Sequence, residues 1–269
     1  MTTVPVLSLL TIMINKLFDL TGRTALVTGG SKGIGKAIAR GYAEAGANIA
    51  ISSRHEDALK TAAAEIKDGL NVRVEYRVAD MNDRKQSDEL AAWALQTFGR
   101  VDILVNNAGS NKPQALVDQQ DEAWDDILEL NLTSCMRLAR ALAPQMIARK
   151  WGRIIHLSSV MALASNPARG CYSATKAALI GMARAHALEL GPHGVTVNCI
   201  APGPVATDLP MSILNDEQKK RFESLTAVKR WGQTTDMVGP ALLLGTDAGA
   251  FITGNVIVAD GGMLCRTFD

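Results

Sequence analysis

Short apolar runs rich in β-branched residues alternate with helix-length amphipathic stretches from Thr24 to the end of the chain. The runs are TALVT (24–28), NIAIS (48–52), VRVEYRV (72–78), DILVN (102–106), RIIHLS (153–158), VTVNCI (195–200) and NVIVA (255–259). Helical spacing fills the intervals 35–46, 55–68, 83–99, 125–150 and 172–190. Near-continuous apolar strands separated by helices predict an α/β fold with a parallel sheet buried on both faces. Right-handed crossovers make such a sheet doubly wound.

Two segments break the alternation. Residues 202–233 carry Pro202, Gly203, Pro204 and Pro210, show no strand and end in a charged helical patch at 216–223. So long an excursion in a compact domain reads as a lid, here about 204–233. At the other end, VPVLSLLTIMI (4–14) is apolar but shorter than the roughly 20 residues that span a bilayer. It also lacks the basic flank and cleavage site of a signal peptide. The expectation is an N-terminal arm over 1–18, then one domain over 19–269, with no membrane partner.

Composition narrows the class. The chain has 269 residues, 47% hydrophobic, with a formal net charge of +1. That supports a large core and argues against a nucleic-acid surface, which shows as a basic excess. Cys135, Cys171, Cys199 and Cys265 are widely spaced, with no CxxC pair and no His/Cys cluster. A reduced, cytoplasmic setting and no metal are expected. Cys171 adjoins Tyr172 and is read as a small packed residue.

The first strand runs into Thr28-Gly29-Gly30-Ser31-Lys32-Gly33-Ile34-Gly35, followed by a helix. Strand, glycine turn and helix are the context of a dinucleotide site. Glycines let the backbone approach a pyrophosphate, and the helix amino end favours its charge. The second strand ends in Ser52-Ser53-Arg54, with no carboxylate at 51–54. An acidic residue there would hold a ribose 2′-hydroxyl; an arginine suits a 2′-phosphate. With Lys32 in the turn, NADP(H) is expected over NAD(H). Asp80 ends the third strand, placed to accept from an adenine amino group. Asn106-Asn107-Ala108-Gly109 ends the fourth, where small residues leave room for the cofactor.

Tyr172 and Lys176 lie one helical turn apart in YSATK, and Ser159 precedes the tyrosine by thirteen residues. Tyrosine is a poor acid or base at neutral pH, with an unperturbed pKa of about 10. A lysine at i+4 shares its helical face and favours the phenolate. A nearby hydroxyl could then hold a carbonyl oxygen beside the phenol.

Taken together, TGGSKGIG (28–35), Asp80, NNAG (106–109), Asn131, Ser159, YSATK (172–176) and PGPVAT (202–207) resemble the short-chain dehydrogenase/reductase family of the conventional single-domain type. The resemblance covers residues 19 to 264. It implies a Rossmann fold of seven parallel strands in the order 3-2-1-4-5-6-7, with helices on both faces. By resemblance, Tyr172 is the general acid/base, Ser159 rather than Ser158 positions the reacting oxygen, and Lys176 holds the nicotinamide ribose. Asn131 kinks its helix and holds a relay water. The cofactor contacts implied are Thr28, Gly29, Ser31, Lys32, Gly33, Ile34, Gly35, Ser53, Arg54, Asp80, Met81, Asn107, Ala108, Gly109, Tyr172, Lys176, Pro202, Gly203, Val205 and Thr207. Among these, Asn107 resembles the adenosine-ribose contact, and Val205 and Thr207 the carboxamide contacts. Family members are usually homotetramers, with 177–190 and 125–142 as the interface faces.

The substrate this resemblance implies is a small-molecule carbonyl or secondary alcohol. The chain resembles 3-oxoacyl-[acyl-carrier-protein] reductases, and also gluconate and polyol dehydrogenases. Carrier docking in the former uses two arginines, whose positions here hold Lys150 and His193. Because His193 is largely neutral at pH 7, that docking is weakened. Substrate contacts are expected from Ser159, Tyr172, Met161, Asn166, Pro204 and Leu209, with Met211 and Leu214 nearby. This mainly apolar mouth suits an acyl chain or ketone better than a sugar acid. A non-catalytic nucleotide sensor or scaffold is the remaining alternative. It fits poorly, because such proteins of this fold typically lose the tyrosine or lysine that is intact here.

Overall fold

The computed structural model describes residues 13–265, apart from the side chains of Leu209, Pro210 and Ile213. Seven parallel strands form one sheet in the order β3-β2-β1-β4-β5-β6-β7. They are β1 Thr24–Thr28, β2 Asn48–Ser53, β3 Val74–Val78, β4 Ile103–Asn106, β5 Gly152–Leu157, β6 Val195–Pro202 and β7 Val256–Ala259. The crossover helices are α1 Gly33–Glu44, α2 Glu56–Lys67, α3 Arg84–Phe98, α4 Asp121–Leu128, α5 Ser134–Arg149 and α6 Gly170–Leu190. Helices α7 Asp208–Ile213, α8 Asp216–Leu225 and α9 Val238–Gly245 lie between β6 and β7.

Burial explains why the strands were readable as apolar runs. Every residue of β1, β4, β5 and β6 is buried, whereas β3 and β7 at the sheet edges are mostly half-buried. Each face carries its own core. One packs Ile38, Tyr42, Leu59, Ile66, Ala241 and Leu244 from α1, α2 and α9. The other packs Leu90, Leu138, Leu142, Met146, Leu179 and Ala183 from α3, α5 and α6.

The elements begin and end for local reasons. Asp83 caps α3, accepting from Lys85 N at 2.8 Å and Gln86 N at 3.2 Å, and Gly99 ends it in the left-handed region. Helix α4 starts four residues before the expected 125, with Asp121 and Glu122 in its first turn. The segment 202–233, expected to be strandless, continues β6 as far as Pro202. It is then pinned by an isolated parallel bridge between Val205 and Gly232. The expected arm 1–18 falls mostly outside the described residues. Of it, 13–18 is helical, with Met13 and Ile14 exposed.

The amino ends of β1, β4 and β5 are tied by charge. Asp102 is fully buried, accepts from Thr24 N at 2.9 Å, and faces the guanidiniums of Arg23, Arg100 and Arg149. Arg23 also stacks on Trp151, 3.8 Å from the ring centroid. Neutralising one partner of a buried charge set strands the others. Asp102→Asn is therefore expected to lower stability by about 2 kcal/mol, measured by urea unfolding at fixed m-value. An unchanged midpoint would show that the arginines find compensation in solvent.

Candidate active site

Strand order reverses between β1 and β4, which run parallel, so a crevice opens at their carboxyl ends, the usual ligand position in such sheets. The residues singled out from the sequence follow directly on strand ends. Gly29 follows β1, Arg54 follows β2, Asp80 lies two residues past β3, Asn107 follows β4, Ser159 lies two past β5, and Gly203 follows β6.

The glycine turn is held from beneath. Thr28 Oγ1 accepts from Asn107 N at 3.1 Å and Ala108 N at 3.0 Å, joining the ends of β1 and β4. Asn107 Nδ2 donates to Thr28 O at 2.8 Å and Gly29 O at 3.1 Å. The Asn107 amide is thus committed to bracing the turn, a role the sequence did not suggest. Gly29 and Gly33 have φ of +64° and +58°, and a Cβ on Gly35 would stand 2.5 Å from Gly29 O. Helix α1 has no side-chain N-cap bond, and its N-cap Lys32 is extended and exposed. Uncapped N–H groups beside a close-approach glycine turn fit a pyrophosphate.

At the adenosine end, Arg54 and Lys32 are exposed, and neither forms an ion pair among the described residues. Asp80 Oδ1 accepts from Asn82 N at 3.0 Å, which fixes the carboxylate at the crevice edge. Met81, expected to contact cofactor, buries its side chain in the core, 3% exposed, against Leu90 and Ala91. Only its backbone remains for such a contact. On the lid side, Val205 is buried, and Thr207 Cγ2 would lie 3.4 Å from a Cβ on Gly33.

Ser159, Tyr172, Lys176 and Asn131 come from three separate elements. Ser159 leaves β5 in extended conformation, 8% exposed, and its Oγ accepts from Met161 N at 3.1 Å. Ser158 instead turns its hydroxyl to Lys176 O, at 2.8 Å, and is spent there. Lys176 is buried on α6, donates to Leu157 O at 2.6 Å, and sits 5.6 Å from the Tyr172 ring centroid. The expected kink at Asn131 is a π-turn, Glu129–Thr133, between α4 and α5. Such single turns recur at functional sites. Asn131 is fully buried. Its Oδ1 accepts from Ser110 N at 2.9 Å, and its Nδ2 donates to Ser110 O at 3.0 Å and Thr175 Oγ1 at 3.2 Å. A Cβ on Gly109 would fall 3.1 Å from Asn131 Oδ1 and 3.3 Å from Lys176 Nζ. Gly109 therefore leaves a cradle beside both groups. Thr175 and the Leu157 carbonyl belong to this set without having carried any sequence signal.

Beneath them, His156 is fully buried, with Nδ1 3.0 Å from Asn106 Nδ2. Burial, then the charges of His186 and Lys176, push it down to about 3, so it is neutral at physiological pH. Burial also raises the thiols of Cys171, Cys135 (to about 11) and Cys199 (to about 12), which removes them as nucleophiles.

Of the expected substrate contacts, Met161 is half-buried beside Ser159, and Asn166 is exposed before α6. Pro204 O accepts from Gly232 N at 2.9 Å at the lid's root. Leu209 lies on α7, with its side chain outside the described set. Among the described residues there is no His/Cys/Asp/Glu group that could hold a metal, and no helix long and apolar enough to cross a membrane.

The match to known proteins runs nearly the length of the chain. Nodulation protein G of Rhizobium sp. (strain N33) is 38% identical over 247 residues, covering 92% of this chain and 99% of that protein. A solved protein of Beutenbergia cavernae, assigned as an NAD(P)-dependent gluconate 5-dehydrogenase and holding NADP at low occupancy, superposes with TM-score 0.88 at 37% identity, covering 93% and 100%. The NADP-bound 3-oxoacyl (acyl-carrier-protein) reductase of Agrobacterium tumefaciens gives TM-score 0.88 at 31% identity, covering 93% and 98%. The family model described as short chain dehydrogenase matches residues 23–218, and the chain belongs to that family of nucleotide-binding oxidoreductases.

Proposed function

We propose that the protein is an NADP(H)-dependent carbonyl reductase that interconverts a carbonyl with a secondary alcohol, using Tyr172 as general acid/base. The observation that carries this reading is Lys176 beside Tyr172 on α6 and bonded to the Leu157 carbonyl at the end of β5, two residues before Ser159, with the glycine turn at the end of β1 in the same sheet. When bound, the reduced nicotinamide supplies the hydride. Ser159 Oγ and the Tyr172 hydroxyl hold the carbonyl oxygen. Their hydrogen bonds strengthen as negative charge develops there, so stabilisation grows toward the transition state. Tyr172 gives its proton to that oxygen, completing the C–OH group. The Lys176 ammonium, locked by the Leu157 carbonyl, stabilises the phenolate left behind. Asn131 keeps the π-turn and the Ser110 loop in place around the lysine.

Carrier-bound substrates fit this chain less well. Lys150 and His193 adjoin, since a Cβ on Gly194 would lie 2.4 Å from Lys150 O. That pair lies beyond the carboxyl end of α6. Eighteen residues of helix at ~1.5 Å each put it about 27 Å from Tyr172 of the same chain. The same two positions serve docking in the carrier-dependent reductases that the chain resembles, so the case against docking is the guanidinium missing at His193 and not this separation. The homotetramer stays part of the proposal, with the small outer face of α6 (Ala177, Gly181, Ala185) available for contact. The test is NADPH oxidation at 340 nm across simple ketones, diketones, 3-oxoacyl thioesters and 5-ketogluconate. Turnover of at least one class is expected. Silence across the panel with both cofactors would favour the nucleotide-sensor alternative.

A further inference from the structure

His156 stands where packing calls for an apolar residue. Alternate residues of a strand share a face, so His156 shares that of Ile154, whose core includes Leu138 and Leu179. It is fully buried, and its register partners are Asn106 on β4 and Cys199 on β6. Asn106 Nδ2 lies 3.0 Å from His156 Nδ1 and 3.4 Å from Cys135 O. A carbonyl only accepts, so the amide nitrogen is the donor in both contacts and Nδ1 accepts. The proton of the neutral ring therefore sits on Nε2. That Nε2 and Asn106 Oδ1 are buried and have no hydrogen-bond partner among the described residues. A leucine would fill the position without an unmatched donor, so sheet stability does not account for the imidazole.

Its place in the chain gives the imidazole a use. The next residue is Leu157, whose carbonyl takes the Lys176 ammonium at 2.6 Å. The one after, Ser158, donates to Lys176 O at 2.8 Å. Asn106 precedes Asn107, which braces the glycine turn. The Asn106 amide also reaches Cys135, in the first turn of α5. Cys135 Sγ in turn donates to Asn131 O at 3.3 Å, inside the π-turn. The Asn106–His156 pair thus joins β4, β5 and α5 at the level where each presents a group to the site. A backbone carbonyl such as that of Leu157 carries no side chain of its own to steer it, so it is placed by the residues around it.

We infer that His156 is a positioning residue for Lys176: its Nδ1 bond to Asn106 fixes the end of β5, and with it the Leu157 carbonyl that holds the ammonium. This role rests on the proposed pairing of Lys176 with Tyr172 and the nicotinamide ribose. The imidazole itself touches no reacting atom. Its neutrality suits the role, because a charge on it would repel the Lys176 ammonium. Burial, and then the charges of His186 and Lys176 on α6, keep it neutral.

The two ring nitrogens can be tested apart, since asparagine places its amide near the Nδ1 position and glutamine near that of Nε2. His156→Leu is expected to lower kcat for the best carbonyl of the ketone panel about 10- to 100-fold, with KM within about threefold, as a small misplacement near the chemistry does. His156→Asn, which can still accept from Asn106, should return kcat to within about threefold of the parent, and His156→Gln should not. Urea midpoints of the three variants should stay near the parent's, which separates the losses from unfolding. Should His156→Leu fail to fold, the contrast of Asn with Gln decides alone. A second measurement needs no turnover: NADPH affinity, followed by nicotinamide fluorescence. His156→Leu should weaken it about 3- to 10-fold in the parent and leave it unchanged in a Lys176→Met background, where the group being placed is gone. Parent-like kcat in His156→Leu, a Gln variant as active as the Asn variant, or equal NADPH losses with and without Lys176 overturns the positioning role. If the parent turns over no carbonyl, the reductase reading falls, and the NADPH measurements still decide the role of His156.

Discussion

Tyr172→Phe is expected to lower kcat by about 10³-fold or more for any accepted carbonyl, while NADPH affinity stays within about threefold of the parent. The substitution removes one oxygen and keeps the ring. Lys176 is positioned by the Leu157 carbonyl, not by the phenol, so its place should survive. The π-turn is likewise held by bonds from Asn131 to Ser110 and Thr175, none of which involve the Tyr172 hydroxyl. Loss of turnover with intact cofactor binding would therefore report the missing proton. Steady-state assays at saturating NADPH, with cofactor affinity followed by nicotinamide fluorescence, make the comparison. Activity near the parent's would remove Tyr172 from the chemistry.

The sheet was legible because its central strands are buried on both faces, which forces continuous apolar runs such as TALVT and RIIHL. The strand-end positions followed from that, since crevice residues must lie where the strands stop. What stayed hidden depends on contacts distant in sequence. The Val205–Gly232 bridge joins two single residues and leaves no periodic signal. The anchor of Lys176 is a backbone carbonyl, which carries no residue identity. Met81 was a cofactor contact implied by resemblance alone, and its side chain lies in the core, because a long apolar side chain goes there when a core lies beneath it.

Cofactor choice should depend on two exposed cations. NADPH is expected to exceed NADH in kcat/KM by about 100-fold, and Lys32→Ala/Arg54→Ala should bring the two within about threefold. Each charge-assisted contact to a phosphate supplies about 10- to 100-fold, and exposure places these at the lower end. The effect should come from losing NADPH affinity and not from gaining NADH affinity, because the double variant supplies no carboxylate for a ribose 2′-hydroxyl. Neither cation has a protein partner to release, so removing them strands no buried charge and stability should hold. The preference should also shrink with added salt, as expected for charges within reach of solvent. Equal kcat/KM for the two cofactors in the parent would show that Arg54 is only a solvated strand-end side chain. A preference that survives the double variant would move the 2′-phosphate contact to Ser53 or to backbone N–H groups of the turn.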